Sequence, residues 1–404
     1  MSKEEKLNIK EQNDTAMGIK KVKVRIMCND FLRTIIKYEC RGFAILLLLL
    51  FVSLNVSGQA VLLDKTTGQR ISYAQILNSK GAVIGTTDID GTLPQDLNDE
   101  VVTIQHIAYK PKSVKSSLFK EDIPIYLNPI EYQLNAVTVT AKNREYIHLK
   151  TYFRSYQLND SCMKYFRDGY LDFFIDTKHK DAERFAIKIR NFQNDSLIDM
   201  DKERANTLVD KYIYTPSLDG LTLMERLKKE GWKFTTDSID SRLRLNEVVG
   251  GAIRIDTIQR VLRVEYDVLA TKKKTPKTLF GYTTRLENYY QTENYIYNPE
   301  YQSYMDLINR KNYRKLFFSH KKDIKEQMIE IIDELYVLEH EYITKDEMKL
   351  YKKTLKSKLA SQVEWNIDST IVTPLAPQLE QVLINVTILF SAMTILSAVF
   401  QPIK

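Results

Sequence analysis

Cysteine and histidine are scarce, and neither stands where chemistry would need it. Three cysteines occur in 404 residues. Cys28 and Cys40 precede the long apolar run near the N-terminus, which leaves Cys162 alone in the chain that follows. One thiol cannot close an intramolecular disulfide, and a cysteine ahead of the apolar run cannot be its lipid-attachment site. No His–Asn pairing signature surrounds Cys162, so it reads as an inert buried thiol rather than a nucleophile. The five histidines are His106, His148, His179, His320 and His340. They give no His-Glu-x-x-His pair, because His340-Glu341 is followed by Thr344 where the second ligand belongs, and a zinc peptidase is disfavoured. A Gly-x-Ser-x-Gly elbow and a glycine-rich phosphate loop are also missing. Asp88 and Asp90 before Gly91 mimic part of a calcium loop. Counting Thr86 as the first position, however, puts Leu97 where a bidentate Glu is required, and a hairpin turn is the better account. A large charge excess is lacking too. Of 59 Lys+Arg and 52 Asp+Glu, 10 and 6 fall before residue 59, so the remainder carries 49 against 46, a net of +3. Nothing there suggests a nucleic-acid stripe.

What is present begins with a leader. Residues 43–56 are apolar apart from Ser53 and Asn55, follow Arg33, Lys37 and Arg41, and run into Val56-Ser57-Gly58. That is the pattern of a secretory signal peptide, and the run is short for a membrane span, which needs about 20 residues. The alternative is a signal-anchor with a short cytoplasmic tail. The stretch ahead of the apolar run is too long for an ordinary n-region, so translation is expected to begin at Met27, with Met1 and Met17 as the other candidates.

Residues 59–141 read as short strands punctuated by turn chemistry. Segments 61–63, 71–77, 83–87, 101–107, 123–127 and 137–140 carry the apolar residues. Gly68, Asn78-Ser79 with Gly81, and Asp88-Ile89-Asp90-Gly91 supply the turns. Roughly seven strands at this spacing predict an all-β sandwich. The order of Gly58-Gln59-Ala60-Val61, Asp64, Thr67-Gly68, Ile71, Tyr73-Ala74, Thr87-Asp88-Ile89-Asp90-Gly91, Ala108-Tyr109-Lys110 and Leu134-Asn135-Ala136-Val137-Thr138-Val139-Thr140-Ala141 resembles the carboxypeptidase-regulatory-like domain, a transthyretin-like sandwich. The resemblance covers about a fifth of the chain. It implies an accessory domain without catalytic residues, of the kind that follows the signal peptide in Bacteroidetes envelope proteins, notably at the front of TonB-dependent transporters. Two departures stand out: His106-Ile107-Ala108 where that family has a Gly before the Tyr, and Leu93-Pro94 in place of an aromatic after Asp-Gly.

Beyond residue 141 the alternation resumes from Tyr146 and predicts an antiparallel sheet with one wet face, turning at Asn159-Asp160 and at Asp168-Gly169. Leu223, Met224 and Leu227 predict a helix over 221–229 that stops at Gly231. The alternation changes phase between Ile255 and Leu262, which predicts a bulge near Gln259 or two strands. Lys272-Lys273-Lys274-Thr275-Pro276-Lys277 reads as a solvated hairpin tip, with membrane-surface contact as the other reading. From Pro299 the period looks helical. Ile324, Met328, Ile331, Leu335, Leu338 and Tyr342 are spaced by four and three, and Thr344 with Glu347 forms a capping box ahead of Met348, Tyr351, Leu355 and Leu359. This predicts a helical hairpin. Residues 382–400 carry no charge but are diluted by Asn385, Thr387, Ser391, Thr394 and Ser397, and read as a buried C-terminal helix or a membrane-inserting tail.

The expected architecture is α+β and mainly β: an N-terminal extension and signal peptide (1–58), a seven-stranded sandwich (59–141), an antiparallel β domain (142–300), a C-terminal helical hairpin (301–372) and an apolar tail (373–404). No residue is assigned a catalytic, cofactor-binding or metal-ligating role. The cluster Tyr289, Tyr290, Tyr295, Tyr297, Tyr301 and Tyr304 is the candidate binding surface, since tyrosine offers an apolar ring and a hydroxyl at low entropic cost. Packing of these rings at a sheet edge is the alternative. The functional expectation is a non-catalytic envelope protein, periplasmic or outer-membrane associated in a Gram-negative bacterium, that contacts protein or glycan. The tail offers a route to the membrane. A hydrolase of envelope polymers is the alternative, with carboxylates drawn from Asp172, Asp176, Glu183, Asp195, Asp199 and Asp201. A transporter-associated module is the third reading.

Overall fold

Ten of the strands among the described residues join into one sheet, drawn from residues 146 to 343. The computed structural model describes residues 59–120, 123–132, 145–203, 211–234, 240–299, 302–323, 325–357, 371–377, 379–381 and 383. The leader, the expected strand at 137–140 and nearly all of the 382–400 tail lie outside the described residues. Among the described residues no helix is long and apolar enough to cross a membrane.

The N-terminal module holds six short strands: β1 (Leu62–Asp64), β2 (Gln75–Leu77), β3 (Val83–Thr86), β4 (Val101–Gln105), β5 (Lys112–Lys115) and β6 (Ile125–Leu127). β1 and β6 pair in parallel, and the other four form an antiparallel sheet in the order β3-β2-β4-β5. Leu62, Ile76, Ile104, Tyr109, Phe119 and Leu127 draw both sheets into one core. The Asp88–Gly91 turn forms as the sequence implies. The Asp88 carboxylate accepts from the amides of Asp90 and Thr92, and Gly91 takes φ +71° against the Leu62 carbonyl, where any Cβ would lie 2.9 Å from that oxygen.

The large sheet comprises β7 (Tyr146–Asn159), β8 (Cys162–Asp176), β9 (Ala182–Gln193), β10 (Asp240–Leu245), β11 (Val248–Asp256), β12 (Val261–Asp267), β13 (Lys277–Leu279), β14 (Tyr282–Ile296), β15 (Leu307–His320) and β16 (Gln327–Ile343). Its order is β10-β11-β12-β14-β15-β16-β7-β8-β9, with β13 beside β14. All its pairings are antiparallel. Among the described residues the α-helices include α1 (Asp195–Glu203), α2 (Leu223–Lys229) and α3 (Lys345–Ser357).

Four expectations change. The helical hairpin is not formed: Leu307–His320 and Gln327–Ile343 are the strands β15 and β16, and among the described residues after them α3, opened by the Thr344–Glu347 capping box, is the one long helix. Both faces of β16 are covered, so its apolar residues fall on both. Ile329, Ile331, Leu335 and Val337 point one way, Ile332 and Tyr336 the other, and together they imitate a spacing of three and four. The middle sheet has no wet face over its centre, for the same reason. Asp168-Gly169 is no turn but the middle of β8. A Cβ on Gly169 would lie 2.2 Å from the Lys188 carbonyl of β9, so the glycine permits strand approach. Cys162 is exposed beside the β7–β8 turn, not buried. The phase change near Gln259 does mark two strands, β11 and β12, and at the turn between them the Asp256 carboxylate accepts from the amides of Ile258 and Gln259.

A 17-residue strand such as β16 is ~55 Å long at about 3.3 Å per residue, so no single partner covers it. One face of the sheet lies under the N-terminal module, whose Leu77, Val83 and Ile107 pack among Tyr156, Ile332, Tyr152 and Tyr336. The opposite face carries the main core, with Leu149, Phe153, Phe173, Val264 and Leu335 beneath Leu223, Leu227 and Trp232.

Candidate functional site

On this opposite face, near the middle of the sheet, apolar packing gives way to polar side chains. Alternation along β15 sends Arg310, Asn312 and Arg314 to this side and Asn309, Lys311 and Tyr313 to the module side. Register then sets Asn312 between Gln291 of β14 and Asp333 of β16. Segment 211–218 crosses above them without regular structure. It is tied down at several points: the Tyr212 amide donates to Gln157 Oε1 (2.8 Å), and Arg184 Nη1 donates to the carbonyls of Thr215 (2.8 Å) and Pro216 (2.7 Å). Between strap and sheet lies a cleft of about 310 Å³ lined by Tyr214, Ser217, Tyr289, Arg310, Asn312 and Asp333.

Each polar group at its floor has a defined environment. Asn312 is 6% exposed; its Nδ2 donates to the Tyr214 hydroxyl (3.2 Å), while its Oδ1 has no partner among the described residues. Burial pushes the Asp333 carboxyl up against the pull of Arg314. The two oxygens accept from Ser155 Oγ (2.5 Å) and Arg314 Nη2 (3.0 Å). Burial, with Asp333 adding repulsion, pushes the Tyr214 hydroxyl up to about 12, so it is a neutral donor at any physiological pH. Arg310 leans on Glu293 (3.3 Å) and donates to Gln291 Oε1 (3.3 Å), and its side chain keeps a fifth of its surface open. Glu293 is held more firmly from the other side by Arg226 of α2, at 2.8 and 2.6 Å. Burial alone would raise that carboxyl, but Arg226 and Arg310 bring it down to about 2. The site is therefore a cation with spare donors, an unpaired amide oxygen and two tyrosines.

The tyrosine cluster does not assemble into one surface. Tyr289 lines the cleft. Tyr290, its neighbour on the strand, faces the module and stacks on Tyr73 at 4.4 Å between ring centroids. Tyr295 is fully buried, its hydroxyl donating to Glu293 Oε2 (2.5 Å). Tyr304 is buried too, under the Arg226 guanidinium, and donates to Asp219 Oδ1 (2.9 Å). Tyr297 is half-buried against the main core, and Tyr301 lies outside the described residues. Sequence reading missed Tyr214, Arg310, Asn312 and Asp333 because the last three sat in a segment read as helical. Polarity offered no signal there, since the intervening Asn309 and Lys311 are as polar as Arg310 and Asn312.

The nominated carboxylates are spread rather than paired across a cleft. Asp172 is bonded to His148 Nε2 (3.1 Å), whose Nδ1 meets Glu341 (3.0 Å). Asp176 caps its own turn at Lys178 and His179, and Glu183 holds Lys352 at 2.6 Å. Asp195 and Asp199 are exposed on α1, and the side chain of Asp201 lies outside the described residues.

No protein-family model and no curated protein matches the sequence. Among solved structures, one titled for lipid–protein interactions in lipovitellin is similar over 49% of this chain and 26% of its own, at 10% identity and a TM-score of 0.27. The chain thus spans about a quarter of that neighbour, and a likeness so slight carries no argument about fold or function.

Proposed function

We propose that this protein is an exported component of a Gram-negative envelope that works by binding, and that the cleft under segment 211–218 takes a short glycan. The observation that carries the reading is the buried, unpaired Asn312 amide oxygen beside Tyr214, Tyr289 and Arg310. A sugar ring presents hydroxyl donors for such an oxygen, acceptors for a guanidinium and an apolar face for a tyrosine ring. A cleft of about 310 Å³ is at the small end of ligand sites, matching one or two rings. Asp333 is already engaged by Ser155 and Arg314, which favours binding over hydrolysis there. Export rests on the apolar leader with its small-residue exit. The N-terminal module is read as a carboxypeptidase-regulatory-like sandwich, which suits an accessory part of an envelope protein.

Calorimetric titration against a panel of neutral and acidic oligosaccharides tests this. Tyr289→Ala and Asn312→Ala should each weaken binding by about tenfold, in keeping with the loss of one ring contact or one buried hydrogen bond. Absence of any saccharide binding by the parent protein would sink the reading, and release of new reducing ends would replace it with hydrolysis.

A further inference from the structure

At the end of the sheet where β13 meets β14 the chain reverses on two residues, Phe280 and Gly281, with Leu279 paired to Tyr282. Both have positive φ, 51° and 82°, as in the tight hairpin turn that favours Asn-Gly. A phenylalanine there works against its own Cβ. It also gains little packing: Phe280 is 89% exposed and Leu279 68%, the two most exposed large apolar side chains among the described residues. Backbone strain kept at a solvent-facing aromatic points to use outside the chain.

Charge around the tip identifies the kind of partner. Lys272, Lys273 and Lys277 lead into the hairpin. Lys321 and Lys322 sit on the adjoining β15–β16 turn, whose Lys321 amide donates to the Gly281 carbonyl (2.8 Å). Segments 272–287 and 320–326 together hold eight Lys+Arg against three Asp+Glu. Those three acids are already engaged: Glu287 by Lys274 and Arg285, Glu326 by Arg285, and Asp323 by the His320 amide. The surplus is therefore positive, and Lys277, Lys321 and Lys322, all exposed, are the cations set beside the two apolar side chains.

We propose that this tip is a membrane-contact finger, in which Leu279 and Phe280 enter the headgroup–acyl boundary of a bilayer while the lysines engage anionic phospholipid phosphates. Two apolar side chains bury too little surface to hold a protein on a neutral bilayer. Basic residues near an anionic surface add an attraction that falls off within a Debye length. Contact is accordingly expected to need anionic lipid and to weaken with salt. The finger is separate from the cleft and does not rest on the glycan reading.

Co-sedimentation of the full-length chain with vesicles tests it, using phosphatidylcholine alone and phosphatidylcholine with phosphatidylglycerol. The expected result is binding that needs phosphatidylglycerol, falls at least several-fold at high salt, and drops on the order of tenfold or more in Phe280→Asn. Because asparagine suits the turn, that variant should melt no lower than the parent, so lost binding cannot be put down to misfolding. Leader and tail are the same in both proteins, so their own lipid affinity cancels in the comparison. In Phe280→Trp, fluorescence should shift to the blue on adding phosphatidylglycerol vesicles, beyond any change in the parent. Equal binding of parent and Phe280→Asn, or an unshifted Phe280→Trp, would overturn the proposal. So would a concentration-dependent dimer that Phe280→Asn abolishes while vesicles are ignored, which would assign the tip to self-association.

Discussion

Two glutamates on opposite faces of the large sheet show how burial and partners divide the titration of one residue type. Glu293, clamped by Arg226 and Arg310, is depressed to about 2. It therefore adds stability that is present above the unfolded carboxylate range near 4.5 and is lost as pH falls toward 2. Glu330 faces the N-terminal module and works the other way. Burial lifts it to about 7, and the Tyr313 hydroxyl bond at 2.7 Å only partly offsets this. The folded protein holds that proton more tightly than the unfolded chain does. The resulting stability is complete below about 4.5 and is lost as pH rises through 7. A shift of this size corresponds to at most about 3 kcal/mol. Glu330→Gln keeps the shape and an acceptor for Tyr313 but removes the charge. Denaturant midpoints measured from pH 5 to 8 should lose their downward slope, with a gain of ~1–3 kcal/mol at pH 8. An unchanged slope would show that Glu330 is not the group responsible.

At the scale of elements, helices depend on local caps while strands depend on neighbours. α2 is held by a reciprocal box in which Thr222 and Glu225 satisfy each other's backbone amides, and α3 by the equivalent pair Thr344 and Glu347. The second box was legible in the sequence, since a Ser or Thr followed three residues later by Glu needs nothing remote. Removing the α3 cap with Thr344→Ala should cost about 1 kcal/mol and be visible as faster amide exchange over 345–349. Equal exchange would mean that packing of Met348 against Phe174 and Ile343 holds the helix start instead. No comparable local signal marks β15 and β16. Their residues include Glu330, Asp333 and Glu334, all nearly inaccessible, and such charges would ordinarily be read as a wet face.

Across the whole molecule, the N-terminal module meets the large sheet through charge and hydrogen bonds as much as through apolar contact. Arg254, wholly buried, donates to Glu265 (2.5 Å), Ser72 Oγ (2.9 Å) and the Ile89 carbonyl (3.1 Å). His106 meets the same glutamate at 3.0 Å, and burial keeps its imidazole below the ordinary histidine range. Lys311 reaches Gln75 (2.7 Å), and Arg263 lies over the Tyr109 ring while that hydroxyl donates to Asp64 (2.8 Å). Taking one partner out of such a network leaves the other charge buried and unpaired. Arg254→Ala is therefore expected to cost ~3–5 kcal/mol. Scanning calorimetry should show the single parent transition lowered or split in two as the module uncouples. A loss below ~1 kcal/mol would mean that the interface is held by its apolar contacts alone.

The sequence by itself determined whatever is encoded between near neighbours: the turn at Asp88–Gly91, the reversal at Asn159-Asp160, the stop of α2 at Gly231, the capped start of α3, and the alternation that marks strands as far as Gln193. Tertiary structure decided the rest. A strand covered on both faces loses its period-two signature, so β15 and β16 passed for helix. Asn312, Asp333 and Tyr289 come from three strands set side by side only by sheet register, and Tyr214 from a strap hung across them. Phe280 looked like one more residue after a lysine-rich loop until the hairpin placed it in water. Register, burial on two faces and exposure at a turn are properties of the assembled chain, since each depends on residues far away in sequence.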